Sequence, residues 1–99
     1  MNLEEMTKEV VELVRAKGFD NWLTWKEFPK ACAYLHSEVS EAFEHWRDNE
    51  KVEVGLELAD ILIRLLHTAR ALGYDLELEF KQKMEINWKR PVHHNRKQI

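Results

Sequence analysis

Apolar residues recur every three or four positions along most of the chain, and the strict alternation typical of strands is scarce. This spacing predicts four amphipathic helices. Their apolar faces are formed, in chain order, by Leu3, Met6, Val10, Leu13 and Val14; by Leu35, Val39, Ala42, Phe43 and Trp46; by the rows Leu58, Leu62, Leu65, Ala69, Leu72 and Ala59, Ile63, Leu66; and by Leu76, Phe80, Met84 and Ile86.

Turn-forming and capping residues separate these helices. A glycine after a helical stretch stops a helix, proline is tolerated in a first turn, and aspartate is a good N-cap. The first helix is expected to end at Gly18, and an aromatic connection over 19–27 leads to a second helix that begins between Glu27 and Pro29. After a turn at Asp48-Asn49-Glu50, the third helix begins between Lys51 and Leu56 and ends at Leu72-Gly73. The fourth helix runs from the Asp75 cap to Arg90-Pro91.

The length of 99 residues allows one hydrophobic core. We therefore expect a single all-α, four-helix bundle-like domain over 1–91, followed by a polar tail over 92–99. The third helix has so wide an apolar surface that we expect it to be largely enclosed.

Charge and cysteine content exclude several classes of protein. The net charge of −3 gives no general attraction to nucleic acid or anionic membranes, although the segment from Lys81 to Lys97 is basic. The single cysteine, Cys32, excludes an internal disulfide and suits a reducing compartment. No apolar run is long enough for a membrane span, and the N-terminus lacks the pattern of a secretory signal. We expect a cytoplasmic protein.

Two pairs of acids are the strongest functional signal. Glu38 and Glu41 share one helix face, as do Glu57 and Asp60, because residues three apart are neighbours on a helix. The short turn makes the two helices antiparallel neighbours, and both pairs lie at similar heights above that turn. Hard cations such as Mg²⁺ prefer oxygen ligands. The hairpin therefore predicts a metal site.

The second pair belongs to a polar stripe on the third helix, which continues with Arg64 and His67. Arg64 follows Asp60 by four residues, so it is expected either to pair with that carboxylate or to contact phosphate. The alternative for the whole stripe is a solvated helix face, but matched acid pairs on two adjacent helices favour a metal-binding cleft.

Three segments together resemble the MazG-like nucleoside triphosphate pyrophosphohydrolases of the all-α NTP pyrophosphatase superfamily. They are LHSEVSEA (35–42), ELADILIR (57–64) and KMEINWKRP (83–91), in the order ExxE, ExxD, KMxxNxxRP. Many relatives have a further glutamate where this chain has Ser37. That departure leaves the four acids intact, but it leaves the number of metal ions and the identity of the general base open.

The resemblance implies Mg²⁺-dependent cleavage of a nucleoside triphosphate between its α and β phosphates, which gives a monophosphate and pyrophosphate. It favours a deoxynucleotide substrate, a house-cleaning role and a homodimer or homotetramer. By resemblance, Glu38, Glu41, Glu57 and Asp60 are the metal ligands, and Glu38, in preference to Glu41, also activates the attacking water. The implied substrate contacts are Lys83, Asn87 and Arg90 with phosphates or sugar, and Trp22 and Trp25 with the base.

Other classes of protein remain open at this point. The chain is alternatively a nucleotide-binding module with little hydrolysis, for which Ser37 is the one supporting feature, or a structural helical oligomer whose acids are solvated. A nucleic-acid binder acting through the basic C-terminal segment comes last, because the overall charge is acidic.

Overall fold

The computed structural model describes residues 1–91, which contain four α-helices and no strand. The helices are α1 (Leu3–Ala16), α2 (Phe28–Arg47), α3 (Lys51–Ala71) and α4 (Leu76–Lys89), and a short 3₁₀ helix (Trp25–Glu27) precedes α2. The all-α prediction is confirmed. The predicted polar tail over 92–99 lies outside the described residues.

Local capping explains where the helices begin and end. The Asn2 side chain accepts a hydrogen bond from the Glu5 backbone N–H at 2.9 Å, and Asp75 does the same for Leu78 at 3.2 Å. Gly18 and Gly73 follow α1 and α3 with φ values of 78° and 82°. This left-handed conformation ends helices and favours glycine. The boundaries predicted at Gly18, Gly73 and Asp75 are confirmed.

Helices α2 and α3 form an antiparallel hairpin that supports the candidate site. Two ion pairs cross between them, His45 with Glu57 near the turn and Glu38 with Arg64 further from it. The turn itself depends on Asn49, which has a φ of 59°. Helix α1 packs against α3, whereas α4 contacts α1 and α3 and makes no contact with α2.

The core of the described chain is small. Its buried hydrophobic residues are Val10, Leu23, Ala31, Leu66 and Ala69. The expectation that α3 is largely enclosed is wrong, because Leu58, Leu62 and Leu65 are exposed. On α2, Val39, Phe43 and Trp46 are exposed as well, with Trp46 at 69%. Within residues 1–91, no element covers these two rows.

The two exposed rows form one surface, which we call the hairpin apolar face (Val39, Phe43, Trp46, Leu58, Leu62 and Leu65). In each helix, every residue of the exposed row comes one position after a residue that faces the other helix. One position corresponds to a rotation of about 100° around the helix axis. Because the helices are antiparallel, equal rotations turn both rows to the same side of the hairpin. The apolar spacing of α2 and α3 therefore does form one continuous apolar face, but within a single chain this face is exposed.

Among the residues that the structure describes, no helix is both long and apolar enough to cross a membrane.

Candidate metal centre and adjoining cleft

Three of the four predicted ligands come together between α2 and α3. One carboxylate oxygen from each of Glu38, Glu41 and Glu57 lies within 4.8 Å of the other two. Glu38 and Glu57 are half-buried and Glu41 is exposed. Asp60 is exposed and lies outside this group, beside Glu38 on the wall of the neighbouring cleft.

Glu57 shows the electrostatic consequence of this convergence. A hydrogen bond shared with the Glu38 carboxyl, desolvation, and the charges of Glu41, Glu38 and Asp60 together raise the pKa of Glu57 to about 7. Its Oε2 is buried and has no hydrogen-bond partner among the described residues. A cation among these oxygens would relieve the repulsion and satisfy the orphaned atom. The donor set, made of carboxylate oxygens, fits a hard divalent ion.

His45 connects the cluster to the hairpin turn. Its Nδ1 lies 3.0 Å from Glu50 Oε1, and its Nε2 lies 3.7 Å from Glu57 Oε1. The hydrogen bond with Glu50, together with the nearby acids, raises the pKa of His45. His45 therefore joins α2 to the turn and to α3.

Arg64 lies on the other side of the cluster. Its Nε donates a hydrogen bond to Glu38 Oε1 at 3.0 Å, and its guanidinium carbon lies 4.8 Å from the centre of the Tyr34 ring. The sequence left two partners open for Arg64, Asp60 and a substrate phosphate. In the described chain Asp60 forms no ion pair with Arg64. The guanidinium instead reaches across the hairpin to Glu38.

A cleft of about 1030 Å³ adjoins the acidic cluster. The end of α1, the connection before α2, and the facing sides of α2 and α3 form its walls. The polar and aromatic residues that line it are Lys17, Phe19, Asn21, Trp22, Lys30, Tyr34, Glu38, Asp60, Arg64 and His67. The cleft thus combines aromatic rings and cations beside the carboxylates, and its size is that of a small-molecule site.

The two tryptophans predicted to contact a base lie in different environments. Trp22 lines the cleft, where its ring makes edge contacts with Tyr34 and His67, and the Lys30 Nζ lies 5.5 Å from its centre. Trp25 is 70% exposed and stacks on Phe28. Trp22 is positioned for contact with a ligand in the cleft, whereas Trp25 does not line it.

The predicted residues of α4 do not line this cleft. Lys83 and Arg90 are exposed, and Asn87 is half-buried with an Oδ1 that has no hydrogen-bond partner among the described residues. Since α4 makes no contact with α2, one chain does not bring these side chains together with Glu38 and Glu41.

Sequence reasoning missed several residues of the cleft. Lys30 and Tyr34 precede Glu38 by eight and four residues, so the helical period places all three on one face of α2. That signal was available in the sequence. Lys17 and Asn21 come from the α1 end and its connection, and no spacing rule links them to α2.

Comparisons of this chain with protein-family models, curated proteins and solved structures found no match. Any class of function must therefore rest on the residues and their geometry.

Proposed function

We propose that this chain is a Mg²⁺-dependent nucleoside triphosphate pyrophosphohydrolase of MazG type, which acts on cytoplasmic (d)NTP pools. The observation that carries the proposal is the convergence of Glu38, Glu41 and Glu57 beside a cleft that contains both aromatic rings and cations. Carboxylates of this kind bind Mg²⁺ while leaving coordination positions for water and substrate phosphates.

In this proposal, residues of the chain bind the metal and accept a proton from the attacking water. Glu38, Glu41 and Glu57 hold the metal, and Asp60, which lines the adjoining cleft, is the fourth proposed ligand. When bound, Mg²⁺ supplies polarisation of phosphoryl oxygens and a more acidic water. Glu38 accepts the proton of the attacking water, and the product pair is a nucleoside monophosphate and pyrophosphate.

The cleft supports a nucleotide as the ligand. Trp22 and Tyr34 offer aromatic surface to a base, a contact that tolerates different bases. Lys17 and Lys30 supply positive charge for a polyphosphate. Three cations, including Arg64, share this cleft with Glu38 and Asp60, so the site can accept a negatively charged ligand together with a divalent cation.

The proposed enzyme is a homodimer or homotetramer. The hairpin apolar face is exposed in the single chain, and the radius of gyration of 15.6 Å exceeds the value of about 13 Å for a compact domain of 100 residues. A second copy that covers this face would complete the small core. Lys83, Asn87 and Arg90 keep their proposed phosphate-binding role if α4 of a second copy lies over the cleft.

The test is hydrolysis of a panel of NTPs and dNTPs with Mg²⁺ or with EDTA, in which pyrophosphate is resolved from orthophosphate. We expect pyrophosphate and a monophosphate, lost with EDTA and lost in Glu38→Gln. Glu53→Gln, an exposed acid on α3 outside the cluster, is the matched control and should keep full activity. Orthophosphate as the product, or full activity in Glu38→Gln, would contradict the proposal.

A nucleotide-binding module is the second candidate, favoured by Ser37. Binding of a Mg²⁺–nucleotide without turnover, measured by calorimetry, would support it over the hydrolase.

A further inference from the structure

Arg64 is the one residue that contacts the acidic cluster through a hydrogen bond and also lines the cleft in the described chain. Its Nε is bonded to Glu38 Oε1, and its guanidinium lies over the Tyr34 ring at 4.8 Å. The side chain therefore contacts a carboxylate of the cluster and at the same time lines the space in which a ligand would bind.

The Glu38 carboxylate cannot serve Arg64 and a metal ion equally. A guanidinium against Glu38 occupies a lone pair of Oε1 and places a positive charge beside the cluster, where it repels an incoming cation. Arginine carries five N–H donors in a planar fork, and in the described chain Nε is the donor that is used. The two Nη groups remain for an anion in the cleft.

We propose that Arg64 pairs with Glu38 while the site is empty and binds the substrate's phosphate groups once Glu38 becomes a metal ligand. This inference rests on the proposed function. The Tyr34 ring face holds the guanidinium at the edge of the cleft, because a cation over an aromatic ring is attracted to it. Arg64 is thus a substrate-binding residue that competes with the metal ion for Glu38.

The competing explanation is an ion pair that only joins α2 to α3. The two roles predict opposite effects on metal binding. If Arg64 only holds Glu38 in place, its removal loosens Glu38 and weakens metal binding. If Arg64 competes with the metal, its removal strengthens metal binding and weakens phosphate binding.

The experiment compares Arg64→Gln and Arg64→Lys with Arg70→Gln in the full chain. Arg70 is a matched control, because it lies on the same helix and pairs with Glu4 at 3.0 Å, outside the cluster and its cleft. One probe is Mn²⁺ alone, followed by its paramagnetic resonance signal in the absence of nucleotide. The other is inorganic pyrophosphate in saturating Mg²⁺, followed by calorimetry.

For Arg64→Gln we expect Mn²⁺ to bind about two- to fivefold more tightly and pyrophosphate to bind about tenfold more weakly. Arg64→Lys keeps the charge but not the planar fork, so Mn²⁺ affinity should stay near that of the unchanged protein, with pyrophosphate affinity in between. Arg70→Gln should change neither.

Weaker or unchanged Mn²⁺ binding in Arg64→Gln, in a protein that binds the ion and hydrolyses nucleotides, would overturn the role of Arg64 alone. Absence of Mn²⁺ binding and of hydrolysis in the unchanged chain would instead overturn the proposed function. Circular dichroism of each variant separates both results from unfolding.

Discussion

At the scale of single residues, the candidate site is a set of carboxylates held close together, and Glu57 ionises less readily as a result. One carboxylate oxygen from each of Glu38, Glu41 and Glu57 lies within 4.8 Å of the other two. The hydrogen bond with Glu38, desolvation and the repulsion between these acids raise the pKa of Glu57 to about 7. Displaced ionisation of this kind is more common at functional sites than on ordinary surfaces. It also makes the stability of the metal-free protein depend on pH.

The first prediction concerns Glu57→Gln. The pKa of Glu57 is higher in the folded chain, at about 7, than the ordinary value of 4.5. A carboxyl with a raised pKa stabilises the fold at low pH, and that contribution is lost as the pH rises through about 7. Without metal, the difference in Tm between Glu57→Gln and the unchanged protein should therefore shift in favour of the variant between pH 5.5 and pH 8.

Addition of Mg²⁺ should reverse this difference at pH 8, because ligand binding to the folded state raises Tm and the variant lacks one ionised ligand. Glu12→Gln, at an exposed position of α1 outside the cluster, provides the control and should behave like the unchanged protein at both pH values. A Tm difference that stays constant across the pH range would contradict the assigned electrostatics of Glu57.

At the scale of elements, the α2–α3 hairpin determines which acids can meet. The turn between the helices is three residues long, and its central Asn49 has a φ of 59°. Asparagine and glycine tolerate this left-handed conformation better than other residues. Asn49 is therefore the backbone position on which the alignment of Glu41 with Glu57 depends.

The second prediction follows from that backbone conformation. Asn49→Ala should lower the free energy of unfolding by about 1 kcal/mol. Asn49→Gly should change the free energy of unfolding by only about a few tenths of a kcal/mol. Urea denaturation monitored by circular dichroism measures both. Equal losses in the two variants would mean that Asn49 acts through its side chain and not through its φ angle.

The elements were predictable because their signals are local. Gly18, Gly73 and Asp75 mark helix ends in any context, and the short turn at Asn49 requires α2 and α3 to be antiparallel neighbours. The meeting of Glu38, Glu41 and Glu57 follows from those two facts. The partner of Arg64 does not follow from those facts, since a long side chain can pair with any of several acids within reach.

Two further features lie beyond local spacing. Helical periodicity identifies an apolar row such as that of Leu58 and Leu62, but it does not say whether the same chain or another molecule covers the row. Likewise, the Lys83 and Asn87 pattern on α4 carries no information about where that helix lies relative to α2. Both depend on the arrangement of whole elements in space.

At the scale of the whole molecule, the described chain has more apolar surface than it can bury. Leu58 is 58% exposed and Trp46 is 69% exposed on the hairpin apolar face, while five hydrophobic residues make up the buried core of residues 1–91. Burial of apolar surface favours association, and a large contiguous apolar surface is characteristic of an interface. A two-fold symmetric pair would place this face against itself.

The third prediction tests that assembly. Leu58→Glu places a charge on the hairpin apolar face and should convert the oligomer to single chains, because a charge buried in an interface without a partner is strongly unfavourable. Val52→Glu is the matched control on the same helix. Val52 is 72% exposed, and helical spacing turns it away from the face, so this variant should keep the mass of the unchanged protein in light scattering after gel filtration.

The same pair of variants distinguishes metal binding, which one chain can perform, from turnover, which is proposed to require two chains. Glu38, Glu41 and Glu57 come from one hairpin, so the single-chain form of Leu58→Glu should still bind Mn²⁺. Lys83, Asn87 and Arg90 do not line the cleft of their own chain, so turnover should fall sharply if a second copy supplies them. Single chains with full activity would show that α4 takes no part in the site, and a protein that is already single-chain before substitution would contradict the proposed oligomer.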